Sequence, residues 1–316
     1  MGVAKYGIPY MGSKGSIADW VFSHIPATEN FYDLFGGGFS ITHAAILKNK
    51  WESFYFNEIK SDIVELIKDA IDGKYSYDVF KPEFITREMF EERKLICAYT
   101  RVIWSFGNNQ RTYLFGKDIE ARKNSLHNAV VHSHFDQTAK DLLDFNVWPE
   151  DLGEIRSRRL FIRKRVREKL GLDAPEQLQH LQQLERLEQL ERLEQLQQLE
   201  QLQLTSLSYD QVEIKENSVI YCDIPYIGTA SYGGVFDHKS FDKWARESKF
   251  PVFISEYYMP DDFFLIASIS KKQKLKVSAT RKEFVEKIFT NKAGLALFNS
   301  QKFSKNILSD QLEFAI

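Results

Sequence analysis

Apolar positions fall into two kinds of pattern along the chain. At both ends, short runs rich in β-branched and aromatic residues alternate with helical spacing. Runs of roughly four to eight such residues, bounded by Gly, Pro or polar turns, predict buried strands of a parallel sheet. They occur at Asn30 to Phe35, Ser53 to Asn57, Ser218 to Asp223 and Pro251 to Tyr257. Helices are predicted over Ile17 to Ile25 and Phe39 to Leu47, with another beginning over Phe241 to Arg246. Leu275 to Thr280 and Val285 to Thr290 read as closing strands, a hairpin at the sheet edge. Strands alternating with helices predict an α/β, Rossmann-like sheet.

Residues 75 to 215 follow a different rule. Within them Leu178, Leu181, Leu184, Leu187, Leu190, Leu193, Leu196, Leu199 and Leu202 recur at every third position, separated by Gln, Glu and Arg. The spacers are strong helix formers. A period of three nonetheless winds around an α-helix, since each Leu falls about 60° behind the last, and it is no heptad. Two structures remain open: a helix packed on different neighbours along its length, which we favour, or a tight solenoid turn with leucines inward.

The 316 residues suffice for one large or two modest domains, and 43% hydrophobic content supports a sizeable core. Two cysteines, Cys97 and Cys222, make no disulfide framework, and Cys222 falls inside a predicted buried strand. A reducing cytoplasm is the expectation. The N-terminus has no basic-then-apolar signal pattern and no apolar run approaches membrane length. Net charge is −2, so any nucleic-acid contact must come from local basic patches.

Candidate chemistry gathers at strand ends, where open α/β sheets bind ligands. The strand Ser218 to Asp223 runs into Ile224-Pro225-Tyr226. A carboxylate and a backbone carbonyl can each accept a hydrogen bond from an exocyclic amine, and the tyrosine offers a flat face to a ring. These are the needs of an enzyme that alkylates the amino group of a base. Taken alone, the tetrapeptide also reads as a plain strand-to-turn junction. Near the N-terminus, Ile8 to Gly15 is a Gly-punctuated loop, and Gly36-Gly37-Gly38 joins a strand to a helix as in nucleotide-binding βα units. Glu58 ends the next strand, where an acidic residue about 20 positions past a glycine loop grips a ribose. The alternative is a tight turn and a surface glutamate.

Taken together, Tyr10-x-Gly12-x-Lys14, Asp33-Leu34-Phe35-Gly36-Gly37-Gly38, Glu58 and Asp223-Ile224-Pro225-Tyr226 resemble the Dam-like N6-adenine DNA methyltransferases of the alpha group. The resemblance covers about residues 5 to 70 and 216 to 292. It implies a Rossmann-like methyltransferase sheet using S-adenosylmethionine and no metal. Tyr10, Gly12 and Lys14 would close over the methionine end of the cofactor. Asp33, Phe35, Gly37, Gly38 and Glu58 would complete its pocket, with Glu58 on the ribose. Asp223 would border the cofactor and, with the Ile224 carbonyl, hold the target amine, while Pro225 shapes the turn and Tyr226 stacks on the base. The chain departs from the family in three places: Ile224 replaces the first Pro of Asp-Pro-Pro-Tyr, Phe39 stands where a second spaced glycine is common, and Glu58 where Asp is common.

The middle of the chain occupies the place of a target-recognition insert. Asn108, Asn109 and Arg111, in a Gly/Asn-rich loop, are candidate base readers; such turns also occur without that role. The run Arg156 to Arg167 is densely basic, which suits phosphate contact by Arg158, Arg159, Arg163 and Arg165, or else forms a solvated helix. Ser255-Glu256-Tyr257 looks like phage-type members of the family, with a buried hydrogen-bonding role for Glu256 favoured over a catalytic one, and Ile227 to Gly234 reads as a loop able to close over the base. The organisation expected is a catalytic domain at 1–74 and 216–316, a largely helical recognition insert at 75–175, the triplet repeat at 176–204 and a return linker at 205–215. The expected substrate is double-stranded DNA, methylated at adenine N6 at a specific site. A cognate restriction endonuclease is the partner such enzymes suggest, with no membrane and a monomeric or weakly dimeric state. The alternatives are a methyltransferase on RNA or a protein amide, and a catalytically weak DNA-binding module.

Overall fold

The computed structural model describes residues 5–170, 181–227, 236–272 and 283–313. It divides into two compact units: Lys14–Val64 with Leu199–Ile316, and Met1–Ser13 with Glu65–Gln198.

The first unit is built on a seven-stranded sheet: β1 (Asn30–Asp33), β2 (Ser53–Asn57), β3 (Leu202–Thr205), β4 (Ser218–Asp223), β5 (Val252–Ser255), β6 (Phe264–Lys272) and β7 (Glu283–Thr290). Their order is β3-β2-β1-β4-β5-β7-β6, parallel except for β7, which runs antiparallel to both its neighbours. The central strands β1 and β5 are buried at every residue, and β4 at all but its last. This is why they read as unbroken apolar runs, as parallel strands covered on both faces do. One face carries Tyr32, Leu34, Ile220, Cys222, Val252 and Ile254, packed on Phe241 and Ala245 of a helix at His238–Glu247. The alternate residue Phe31 faces Phe22 of α1 (Ala18–His24) and lies tilted against Trp51 with ring centres 4.5 Å apart. The Rossmann-like α/β sheet expected from the sequence is present. Helix α2 (Ser40–Lys48) follows β1, and α3 (Ser61–Ile71) follows β2.

Two strands escape a reading by apolar runs. β3 is the tail of the leucine repeat, paired with β2 through Phe54↔Leu202 to Asn57↔Thr205. β6 is an edge strand whose mixed sequence matches its half-exposed position. It, rather than Leu275–Thr280, is the described partner of β7, so the edge hairpin forms with a different first strand. Residues 275–280 lie outside the described residues, as do Leu178 and residues 228–234 of the loop after Tyr226.

The second unit is helical: α4 (Arg87–Arg93), α5 (Ala98–Ile103), α6 (Lys117–His132), α7 (Gln137–Leu143), α8 (Ile155–Leu170) and α9 (Gln182–Glu191). Leu126, Val130, Leu143, Ile162 and Val166 form a core with Leu181 and Leu184 of the repeat. Among the described residues the repeat is helical from Gln182 to Leu196, where α9 tightens to a 3₁₀ segment at Arg192–Leu196, while its last leucine, Leu202, lies in β3. Leu181, Leu184, Leu187, Leu190, Leu193 and Leu196 are all buried. The 3₁₀ form has three residues per turn, so a period-three row stays on one side there.

Candidate active site

Strand order reverses between β1 and β4, which makes the crevice beyond their carboxyl ends the natural ligand site of such a sheet. β1 ends at Asp33, paired with Tyr221, and β4 runs two residues further to Asp223. Asn57 fastens this end of the sheet: its side-chain amide donates to the Leu34 and Leu207 carbonyls at 3.1 and 3.0 Å, and its oxygen accepts from Leu207 N–H at 3.0 Å. The side chain of Ile224 enters the apolar cluster with Cys222, Phe241 and Met259. Burial anchors this residue where the resemblance leads one to expect a proline ring.

Lys14 lies at the start of the 3₁₀ turn Gly15–Ile17 that leads into α1. Although 94% removed from solvent by its 6% exposure, its ammonium is paired: 3.1 Å from Asp223 Oδ1 and 3.6 Å from Glu286 Oε2 on β7. It also sits 4.4 Å from the centre of the Tyr226 ring, a cation–π contact. Burial works to lower its pKa, but Asp223 and Glu286 outweigh burial and hold it above its usual value. Tyr226 donates its hydroxyl to Glu286 Oε2 at 2.8 Å, and Tyr257 meets its ring edge-on at 4.5 Å. Burial, then the charges of Asp223 and Glu286, push the Tyr226 hydroxyl far up, so it remains a neutral donor. Glu256 is buried and accepts from the backbone N–H of Ile227 at 3.1 Å and of Tyr257 at 2.6 Å. It therefore holds the backbone just after Tyr226.

Beside this cluster, Asp33 is buried. Its Oδ2 accepts from Thr42 Oγ1 of α2 at 2.8 Å, while Oδ1 has no hydrogen-bond partner. Burial raises its pKa to about 7 against the relief given by Thr42. An unpaired buried carboxylate oxygen is costly, and a cationic donor is the group that would relieve it. Glu58 is also buried, with Oε2 accepting from Gly37 N–H at 3.0 Å and Oε1 from Lys60 N–H at 3.2 Å. Burial again raises its pKa. The glycine loop is thus tied to Glu58. Gly36 has its own reason: a Cβ there would lie 2.0 Å from the Phe56 ring.

Phe39 adopts φ 66°, a left-handed conformation that a bulky residue rarely takes. Its ring is fully buried, edge-on to Phe56 at 5.1 Å. The position where the resemblance leads one to expect glycine keeps glycine's backbone and adds a core side chain. Phe35 packs among Tyr209, Phe236 and Phe241. Tyr10 and Gly12 fall in the other unit; Gly12 has φ 80° and open space around its α-carbon.

In the helical unit, the loop holding Asn108, Asn109 and Arg111 is closed by a bridge between Ser105 and Tyr113. Asn109 Oδ1 accepts from the N–H groups of Arg111 and Thr112 at 2.8 and 3.0 Å, so its side chain shapes the loop. Asn108 has φ 60° and Arg111 is exposed. The basic helix α8 is divided. Arg159 lies inward, in contact with Glu185 at 2.8 Å and Glu188 at 3.0 Å. Arg158 donates to the Leu152 carbonyl at 2.8 Å and to Ser133 Oγ at 3.0 Å, and Arg165 to the Leu143 carbonyl at 3.3 Å. Arg163, Lys164 and Arg167 are exposed. Arg159 carried a signal: Ile155, Arg159, Ile162 and Val166 share one helical stripe, spaced four, three and four. Glu286 carried one too, since strand alternation puts it on the inward side with Ile288 and Thr290. Neither was read from the sequence.

Among the described residues no group of His, Cys, Asp and Glu could hold a metal, and no helix is long and apolar enough to cross a membrane. No curated protein matches the chain. The family model of the D12 class N6 adenine-specific DNA methyltransferases matches residues 10–144, from the glycine-punctuated first loop through β1, β2 and the loop at Asn108 into the helices beyond. Over those residues the chain is similar to the D12 class N6 adenine-specific DNA methyltransferases.

Proposed function

We propose that the enzyme transfers a methyl group from S-adenosylmethionine to N6 of an adenine flipped out of a specific duplex site. The observation that carries this reading is the seating of the Lys14 ammonium, in hydrogen-bond reach of Asp223 and over the Tyr226 ring. Those are the two contacts an adenine amine and ring require. The residues present also fit the cofactor. Asp33 Oδ1, buried and unpartnered, suits an ammonium, and Glu58 stands at the end of β2 where a ribose is gripped. The carboxylates around one lysine make the crevice hospitable to a cation. Bound there, S-adenosylmethionine supplies an electrophilic methyl group on a sulfonium.

The chain's own part is alignment. The adenine amine is poorly nucleophilic because its lone pair is delocalised into the ring. Hydrogen bonds to Asp223 and to the Ile224 carbonyl favour a pyramidal nitrogen whose lone pair can point at the methyl group. Fixing that geometry supplies much of the rate. The base must leave the duplex to reach such a site, and stacking on Tyr226 returns about 1–3 kcal/mol of the lost stacking. In the insert, Asn108 and Arg111 are the candidate base readers and Asn109 the loop's brace. Arg163, with Lys164 and Arg167 beside it, is the candidate phosphate contact. Arg158, Arg159 and Arg165 serve the packing of α8 instead.

The test is transfer of labelled methyl groups to duplex DNA, with the product nucleoside identified by mass spectrometry. N6-methyladenine confined to one sequence context is expected. Transfer only to RNA or protein, or no transfer with the cofactor bound, overturns the reading.

A further inference from the structure

We infer that Glu286 is a positioning residue that takes over Lys14 when the target amine takes Asp223. This rests on the reading of Asp223 and Tyr226 just given. As the site stands, Lys14 occupies Asp223 Oδ1 at 3.1 Å and covers the Tyr226 ring. An incoming adenine needs both places. Were Asp223 the only anion near Lys14, the base could enter only by leaving a buried ammonium without a partner, and that penalty would be added to every turnover.

Glu286 removes the difficulty. Its Oε2 is 3.6 Å from the Lys14 ammonium, an ion pair too long to be a hydrogen bond. A shift on the order of half an ångström would make it one. The same oxygen accepts the Tyr226 hydroxyl at 2.8 Å. One carboxylate therefore fixes the stacking ring by its rim and offers the lysine a second seat besides Asp223. Glu286 is buried, on a strand paired with β5, so this seat belongs to the sheet rather than to a loop. Tyr257 and Glu256 complete the surroundings of the ammonium.

The experiment uses the full chain, S-adenosylmethionine and a duplex containing the methylated site, and reads the single-turnover rate, the DNA affinity and the cofactor affinity separately. Glu286→Gln keeps an acceptor for Tyr226 but removes the charge that receives Lys14. Single-turnover transfer should fall by about 100-fold, with both affinities within about twofold of wild type. Tyr226→Phe removes the hydroxyl and keeps the charge, and should cost only about fivefold. In a Lys14→Met background, Glu286→Gln should cost almost nothing further, because the group to be handed over is gone. A merely structural glutamate would lower stability and rate alike in both backgrounds. An E286Q rate equal to wild type overturns the handover, as does an equal loss in the Lys14→Met background. Should E286Q fail to fold, Glu286→Asp keeps the charge and is expected within about tenfold of wild type; a far larger loss in folded E286D overturns the proposal. If wild type itself transfers no methyl group to adenine, the reading of the site fails and the handover with it. If wild type transfers and Asp223→Ala does not, while E286Q is unaffected, only the handover fails.

Discussion

The sheet unit and the helical unit bury different things. Around β1, β4 and β5 the core is aromatic and aliphatic: Tyr32 lies flat on Tyr55 at 4.2 Å, and Phe31, Phe241 and Phe253 are fully buried. Charged groups there gather at the carboxyl ends of the strands. In the helical unit, charge lies inside the packing itself. Arg159 is locked to Glu185 and Glu188, and the Arg186 guanidinium donates to the carbonyls of Ile103 at 2.8 Å and Ser105. His127 bonds to the Pro82 carbonyl at 2.9 Å, and burial lowers its pKa to about 4. Burial likewise lowers that of Lys123 to about 7. A core of the first kind tolerates repacking; one of the second fails when a single partner is removed.

That contrast is sharpest at Arg159. Arg159→Ala removes the buried cation that joins Glu185 to Glu188, leaving Glu188 the longer contact to Arg156 at 3.8 Å, and should cost about 3–5 kcal/mol, measured by denaturant unfolding of the full chain. A cost under about 1 kcal/mol would place the pair in the class of surface ion pairs and erase the difference between the units. In the sheet unit the largest effect belongs to chemistry rather than fold. Asp223→Ala should reduce single-turnover transfer by at least about 100–1,000-fold, the scale of losing one preorganised transition-state contact, while S-adenosylmethionine still binds by calorimetry. Near-normal methylation by that variant would sink the assignment of Asp223.

Asp33 gives a smaller, pH-dependent handle. Its folded pKa of about 7 stands above its ordinary value of 3.8. The native state therefore keeps a proton that the unfolded chain releases, and this contribution to stability is full below about pH 4 and lost as pH rises to about 7. Asp33→Asn should remove the slope. Relative to wild type the variant should gain on the order of 4 kcal/mol between those limits, read from unfolding curves at each pH without cofactor. Parallel curves for the two proteins would mean that Asp33 is ionised throughout. The smallest effect is expected at Arg163. Arg163→Ala should leave stability within about 0.5 kcal/mol and reduce the salt slope of DNA binding by about 0.9; an unchanged slope would remove α8 from the DNA surface.

The same contrast decides how much could be read in advance. β4 matches its predicted bounds because a strand buried on both faces leaves an uninterrupted apolar run, and β2 matches its own although one of its faces is only half-buried. Asp33, Lys14, Glu58, Asp223 and Tyr226 were singled out from loops and strand ends, and the structure brings Lys14, Asp223 and Tyr226 into contact. Sequence spacing does not show that Lys14 faces Asp223, since most of the chain's length separates them. Glu286 passed unnoticed because a lone acidic residue in Val285-Glu286-Lys287-Ile288 reads as part of an exposed strand. In the insert, basic density reads as an outward property, whereas packing turns Arg159 inward against charges contributed by the repeat. β3 is hidden in the sequence because its first residue, Leu202, continues the period-three leucine row.

From Leu181 the repeat reads LQQ, LER, LEQ, LER, LEQ, LQQ. If this stretch slipped by one triplet along its bed, leucine would replace leucine at every buried site, and the apolar contacts would not distinguish the two alignments. The polar groups would. After a slip that moves each residue one triplet onward, the place of Glu185 would receive Gln182 and that of Arg186 would receive Gln183. Arg159 would lose one of its two carboxylates, and the carbonyls of Ile103 and Ser105 would lose their guanidinium. Leucines thus supply adhesion that is blind to position, and a few ion pairs act as the index marks on the ruler. Expansion or contraction of so uniform a segment would be invisible to its hydrophobic face and would be resisted by those marks alone.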